Sequence, residues 1–154
     1  RDRLRSRGLG DVYKRQRNGC WESYASATAL IAQTKAKMKE CPDSKMWELC
    51  GGDINKVSGR TSFNAMYAGD EAGREVVEKY RYYVAVGIIN IINIFQPEVL
   101  CVGGGISNEG DNLLDPIREY VKKERYSKHA KKQTEICKAV LGNDAGIIGA
   151  ALLG

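Results

Sequence analysis

The chain has 154 residues, with 24 Lys and Arg against 19 Asp and Glu for a net charge of +5, a length that suits one domain. Its five cysteines, Cys20, Cys41, Cys50, Cys101 and Cys137, are odd in number and irregular in spacing, which argues against a disulfide framework and points to a reducing, cytoplasmic compartment. The most apolar run, Tyr82 to Phe95, is shorter than the roughly 20 residues a membrane-spanning helix needs, so no membrane partner is expected.

Residues 1–16 read differently from the rest. Asp11-Val12-Tyr13-Lys14-Arg15-Gln16 back-translates as GAT GTG TAT AAG AGA CAG, which resembles the transposon end used to build sequencing libraries. Residues 1–16 are therefore expected to be a translated adapter scar, and residues 17–154 the protein proper. The scar holds six of the basic and two of the acidic residues, and without it the balance falls to +1. A basic arm would otherwise invite a nucleic-acid or membrane-surface reading; the body of the chain is near neutral and invites neither.

From Ser23 to about Glu40 the chain is rich in Ala and Lys with no Gly or Pro. It reads as one helix, stopped at Cys41-Pro42 because the residue before proline is pushed out of the helical region. A polar loop follows, then a short helix from about Ser62 to Ala68. Asp70 is placed as the N-cap of the longest element, with Glu71 and Glu75 at the positive end of its dipole. Val76, Val77, Tyr80, Tyr83, Val84 and Gly87 recur at helical spacing, after which the helix turns apolar almost all round. Its first half is expected to be partly exposed and its second half buried. Gln96-Pro97 ends it.

The run EVLCVGGG, Glu98 to Gly105, predicts a buried strand entering a tight turn. Leu113, Leu114, Ile117, Tyr120 and Val121 mark one face of an amphipathic helix, and the charged SKHAKKQTE follows. ICKAVLG reads as a second buried strand, and NDAGIIGAALLG as a closing helix capped by Asn143 or Asp144. Strand, helix and parallel strand make a crossover unit of the α/β class.

Two places offer chemistry. Gly103, Gly104 and Gly105 stand at the carboxyl end of a strand, where open α/β sheets bind ligands and where glycine lets the backbone approach a nucleotide. Their spacing is neither a Rossmann fingerprint nor a P-loop, and such a triplet also serves as a plain turn. Cys20 and Glu22 lie two apart just before a helix, so a thiolate and a carboxylate are offered at a helix N-terminus; a small buried thiol and a dipole partner are the bland alternatives. His129 lies among lysines and reads as a solvated surface residue. Cys41 and Cys50, with no histidine near, do not read as a zinc site.

Three stretches, GCWESYASATAL, NIFQPEVLCVGGGIS and VLGNDAGIIGAALL, together resemble, in order and spacing, the carboxyl-terminal half of the ROK family (repressors, open reading frames and sugar kinases). Within that family the bacterial glucokinases are the most similar, and the resemblance covers essentially all of residues 17–154. It implies an α/β fold: the carboxyl-terminal lobe of an actin-like (ribonuclease H-like) sugar kinase, truncated. It also implies ATP as phosphoryl donor with Mg²⁺, a hexose acceptor, glucose first, and a homo-oligomer in the intact parent. Gly103, Gly104 and Gly105 then correspond to the turn against the adenosine of ATP. Glu22 corresponds to the glutamate that bonds sugar hydroxyls, a task suited to a carboxylate because it accepts from two hydroxyls at once. Cys20 corresponds to the last ligand of a structural Zn²⁺.

Measured against the family, the chain starts after three of the four zinc ligands. It also starts after the whole first lobe, with the phosphate loop, the sugar-binding histidine and the aspartate base. No catalytic residue is therefore expected here, and the fragment alone is expected to be inactive, since phosphoryl transfer needs a closed, positioned site. An unpaired sheet edge and uncovered apolar faces are expected too. A sugar-responsive repressor of the same family, carrying a helix-turn-helix upstream and contacting nucleic acid, is the alternative reading.

Overall fold

A computed structural model describes residues 19–141 and 144–152. The adapter reading of residues 1–16 and the Asn143 cap lie outside the described residues. The chain divides into two compact units, one up to Gly87 and one from Ile88 onward. None of the described helices is long and apolar enough to cross a membrane.

The first unit is helical. α1 (Glu22–Ala25), α2 (Ala27–Glu40), α3 (Lys45–Leu49), a 3-10 turn (Ile54–Lys56) and α4 (Thr61–Tyr67) lead into α5 (Glu71–Phe95), which continues past the unit boundary. The single helix expected from Ser23 is in fact two. Ser26 is extended, at φ −80° and ψ 162°, and its hydroxyl accepts the amide of Ala29. A serine free to bond a nearby amide breaks a helix as readily as it starts one. The stretch expected to be only polar loop carries α3 and the 3-10 turn. α3 is capped by Ser44, whose hydroxyl accepts the Met46 amide, and anchored by the buried side chain of Met46.

Asp70 caps α5 as expected: one carboxylate oxygen accepts the Ala72 amide and the other accepts the Ser44 hydroxyl. One side chain thus ties together the starts of α3 and α5. The core is built from Leu30, Thr34 and Met38 of α2, Met46, Phe63 of α4, and Val77 of α5, all fully buried. Gly73 admits α4 closely: a Cβ there would stand 2.7 Å from the Ala65 Cβ and 2.9 Å from the Met66 amide nitrogen. Lys37 pairs with Glu75 across α2 and α5, and the hydrogen bond to that carboxylate raises the lysine pKa.

The second unit holds the end of α5, β1 (Val99–Val102), a 3-10 turn (Gly105–Glu109), α6 (Asp111–Glu124), β2 (Glu135–Lys138) and α7 (Ala145–Leu152). Gln96 at φ 45° turns the chain out of α5 ahead of Pro97. β1 and β2 pair in parallel, Leu100 opposite Ile136 and Cys101 opposite Cys137, as a strand–helix–strand unit requires. α6 packs on β2 and buries Leu113, Leu114, Ile117 and Val121, with Ile136 buried on the strand.

The burial expected of both strands and of the second half of α5 is incomplete. Val99 and Cys101 are exposed and Val140 is 95% exposed, while Ile94 and Phe95 are exposed at the end of α5. Side chains alternate across a sheet, and α6 serves the face that carries Ile136. Arg118 donates from Nε and Nη2 to the Ile136 carbonyl and from Nη1 to Asp111 and Asp115. That carbonyl points away from β1, so the guanidinium blunts the outer edge of β2. The two aspartates raise the arginine pKa further.

Candidate functional site

Glu22 opens α1, and its carboxylate is exposed, with no hydrogen-bond or ion-pair partner among the described residues. α1 is a single turn of 4 residues, so the helix-dipole argument for an anion here loses its force: partial charge accumulates only over several aligned peptides. What positions Glu22 is packing. The Trp21 indole donates from Nε1 to the Tyr83 carbonyl at 2.7 Å, the Tyr24 and Tyr83 rings meet at 5.2 Å, and the Tyr80 hydroxyl donates to the Ala25 carbonyl at 3.0 Å. The residues on either side of Glu22 are thereby held against α5.

Two features of α5 make that brace possible. Gly87 leaves room for the indole, since a Cβ there would stand 1.9 Å from the Trp21 ring. Tyr80 is 3% exposed, and burial pushes its pKa up to about 12, so the hydroxyl stays protonated and donating at neutral pH. Tyr80, Tyr83 and Gly87 were legible as one helical face; Trp21 as their partner was not.

Cys20 is half-buried and its carbonyl accepts the Ser23 amide. Among the described residues no group of three or more His, Cys, Asp or Glu stands together as a metal site. The donors present around Cys20 among the described residues thus do not fit a four-ligand zinc centre by themselves.

Gly103, Gly104 and Gly105 lie at the carboxyl end of β1. Gly104 alone needs glycine's conformational freedom, at φ 90° and ψ 173°. Its carbonyl accepts both the amide and the hydroxyl of Ser107, at 3.0 and 2.7 Å, and Ser107 is buried. This pins the turn from beneath. Above it there is open space: a Cβ on Gly104 or Gly105 would meet nothing within 4 Å, so the backbone can be approached directly. Gly110, at φ 61°, ends the turn and starts α6. His129 is exposed, and Cys50 is buried with its thiol donating to the Trp47 carbonyl.

The pattern of the ROK family matches residues 16–154. The chain belongs to the ROK family. A glucokinase of Streptomyces coelicolor is 33% identical over 136 residues, which cover 86% of this chain and 43% of the relative. The xylose repressor of Bacillus subtilis is 25% identical, over 85% of this chain and 30% of that protein. Among solved structures, a ROK glucokinase from Streptomyces griseus in complex with glucose and AMPPNP superposes with a TM-score of 0.77 at 30% identity, covering 88% of this chain and 44% of that one. The chain thus spans less than half the length of the relatives it matches, and its fold is the α/β fold of ROK sugar kinases.

Proposed function

We propose that the intact parent is an ATP-dependent hexose kinase of the glucokinase type, transferring the γ-phosphoryl group of ATP to the 6-hydroxyl of glucose. The observation that carries this reading is the exposed, unpartnered Glu22 carboxylate on a segment braced by Trp21, Tyr24 and Tyr80. A fixed acceptor with open oxygens suits sugar hydroxyls, and a site built for hydroxyls discriminates strongly against analogues lacking them. Gly103, Gly104 and Gly105 supply a pinned, open backbone turn against which the adenosine end of ATP packs. The similarity to a glucokinase that holds glucose and AMPPNP supports both assignments.

In this reading Glu22 orients the sugar and the glycine turn seats the nucleotide. The base that takes the 6-hydroxyl proton belongs to the rest of the parent, as do three ligands of a zinc site ending at Cys20. Mg²⁺ would neutralise phosphate charge in this chemistry; the described residues offer no cluster for it. The parent is placed in the cytoplasm, where its nucleotide is found, and is expected to be a homo-oligomer.

The xylose repressor relative supports a second reading, a sugar-responsive regulator that binds hexose or pentose and DNA without turnover. A coupled assay of ADP formation by the full-length parent separates the two, with glucose, fructose and N-acetylmannosamine as acceptors. Glucose-dependent turnover that collapses in a Glu22→Gln variant is the expected result. Sugar binding with no turnover on any acceptor would shift the reading to the regulator.

A further inference from the structure

Cys101 of β1 and Cys137 of β2 are register partners on neighbouring parallel strands, and their sulfurs lie 3.4 Å apart. They share the sheet face opposite to the one that carries Leu100 and Ile136; Cys101 is exposed and Cys137 half-buried. Strand neighbours stand about 4.8 Å apart, inside the Cα separation of roughly 4.4–6.8 Å that a disulfide spans. The backbone is therefore already placed for a bond, and the sulfurs have only to rotate together. The hydrogen bond to Cys101, followed by burial, raises the Cys137 pKa. Cys101, the more accessible of the two, is the entry point.

We propose that Cys101 and Cys137 form a reversible thiol–disulfide site, oxidised by low-molecular-weight disulfides of the glutathione class. The Cys101 thiolate attacks one sulfur of the small disulfide, forming a mixed disulfide and expelling one thiolate. Cys137 then gives up its proton, its sulfur attacks the Cys101 sulfur, and the second thiolate leaves. Both released thiolates take up the protons lost by the two cysteines. Two protein thiols and one small disulfide thus become one protein disulfide and two small thiols, and excess thiol reverses the exchange. A bond between directly paired strands is constrained and exposed, the kind that is readily reduced, and disulfides in reducing compartments are of this transient kind. It closes two residues before Gly103 and fixes the strand ends beside the glycine turn. The proposal stands whether or not that turn takes a nucleotide.

The test is disulfide mapping of the full chain after exposure to oxidised glutathione, thiol blocking and digestion, in buffer and in concentrated urea. In the unfolded chain Cys41–Cys50 closes a loop one quarter as long as Cys101–Cys137, which favours it roughly eightfold by closure entropy. In buffer that order is expected to reverse, Cys101–Cys137 exceeding Cys41–Cys50 by at least about tenfold because its sulfurs are held together; dithiothreitol removes the link. A Cys137→Ser variant is expected to stop at the mixed disulfide on Cys101. The proposal is overturned if the wild-type chain itself stops there, if buffer and urea give the same pairing, or if the disulfides formed join separate chains. The comparison in buffer and urea needs no variant, so a substitution that fails to fold leaves the test intact.

Discussion

The two units reach order by different routes. In the first, Leu30, Thr34, Met38, Met46, Phe63 and Val77 from four helices are among the fully buried side chains, and Asp70 ties two helix starts together. In the second, one helix covers one face of a two-stranded sheet, and Ile94, Phe95, Val140 and Ile147 stand more than two-thirds exposed. Burying apolar area is the main source of folding free energy, about 25 cal/mol per Å². A unit that leaves much of its apolar surface in water therefore depends more on what else covers it. The candidate ligand groups divide along the same line, Glu22 in the first unit and the glycine turn in the second.

The largest expected effect is in the first core. Phe63→Ala should cost about 3–5 kcal/mol, read as a lowered midpoint of chemical denaturation followed by circular dichroism. Ile147→Ala, at 73% exposure, should change stability by less than about 0.5 kcal/mol. Comparable costs at the two positions would break the contrast. Next comes Gly73→Ala. Its Cβ would press on the backbone of α4, with the Ser62 carbonyl at 3.0 Å, and backbone yields less easily than a side-chain tip. A cost of about 3 kcal/mol is expected from such overpacking, with loss of amide-exchange protection in α4 and the first half of α5.

Tyr80 gives a smaller effect with a defined pH window. Its folded pKa is about 12 against about 10 unfolded. Below pH 10 both states hold the proton and the contribution is complete; between pH 10 and 12 the unfolded chain ionises first and stability falls. The loss amounts to about 2–3 kcal/mol by pH 12. Tyr80→Phe should make that alkaline slope shallower while costing about 1 kcal/mol at neutral pH for the lost bond to the Ala25 carbonyl. Thermal melts of both proteins across this range check it. Smallest of all, Val140→Lys should leave the melt within about 0.5 kcal/mol and reduce light scattering, because it removes an exposed apolar patch.

Long elements with their own punctuation were legible in the sequence. α5 announced itself by Asp70, by the helical recurrence from Val76 to Gly87 and by Pro97, and α6 by the spacing of Leu113, Leu114, Ile117 and Val121. The break at Ser26 was not legible, because Ala25 and Ala27 on either side favour helix and the hydroxyl's choice of the Ala29 amide decides it. α3 was missed because 5 residues are too few to show a period. Strand burial was misjudged because an apolar run reports what a strand can bury, not what is present to bury it. At the candidate site, Glu22 and the three glycines were legible as candidates from their places before a helix and after a strand, and motif resemblance supplied their expected roles. The indole bond to a carbonyl 62 residues away and the sulfur pair across the sheet depend on tertiary placement, which no local pattern encodes.

The central claim, that the first unit serves the sugar and the second the nucleotide, is tested most directly by steady-state kinetics of the full-length parent. Glucose and ATP would be varied independently in Glu22→Gln and Gly104→Ala, the latter forcing a side chain into backbone at φ 90°. The account predicts a crossed result: Glu22→Gln weakens the dependence on glucose and leaves the KM for ATP unchanged, whereas Gly104→Ala raises the KM for ATP and spares that for glucose. Equal effects on both substrates in both variants, or the reverse assignment, would contradict it.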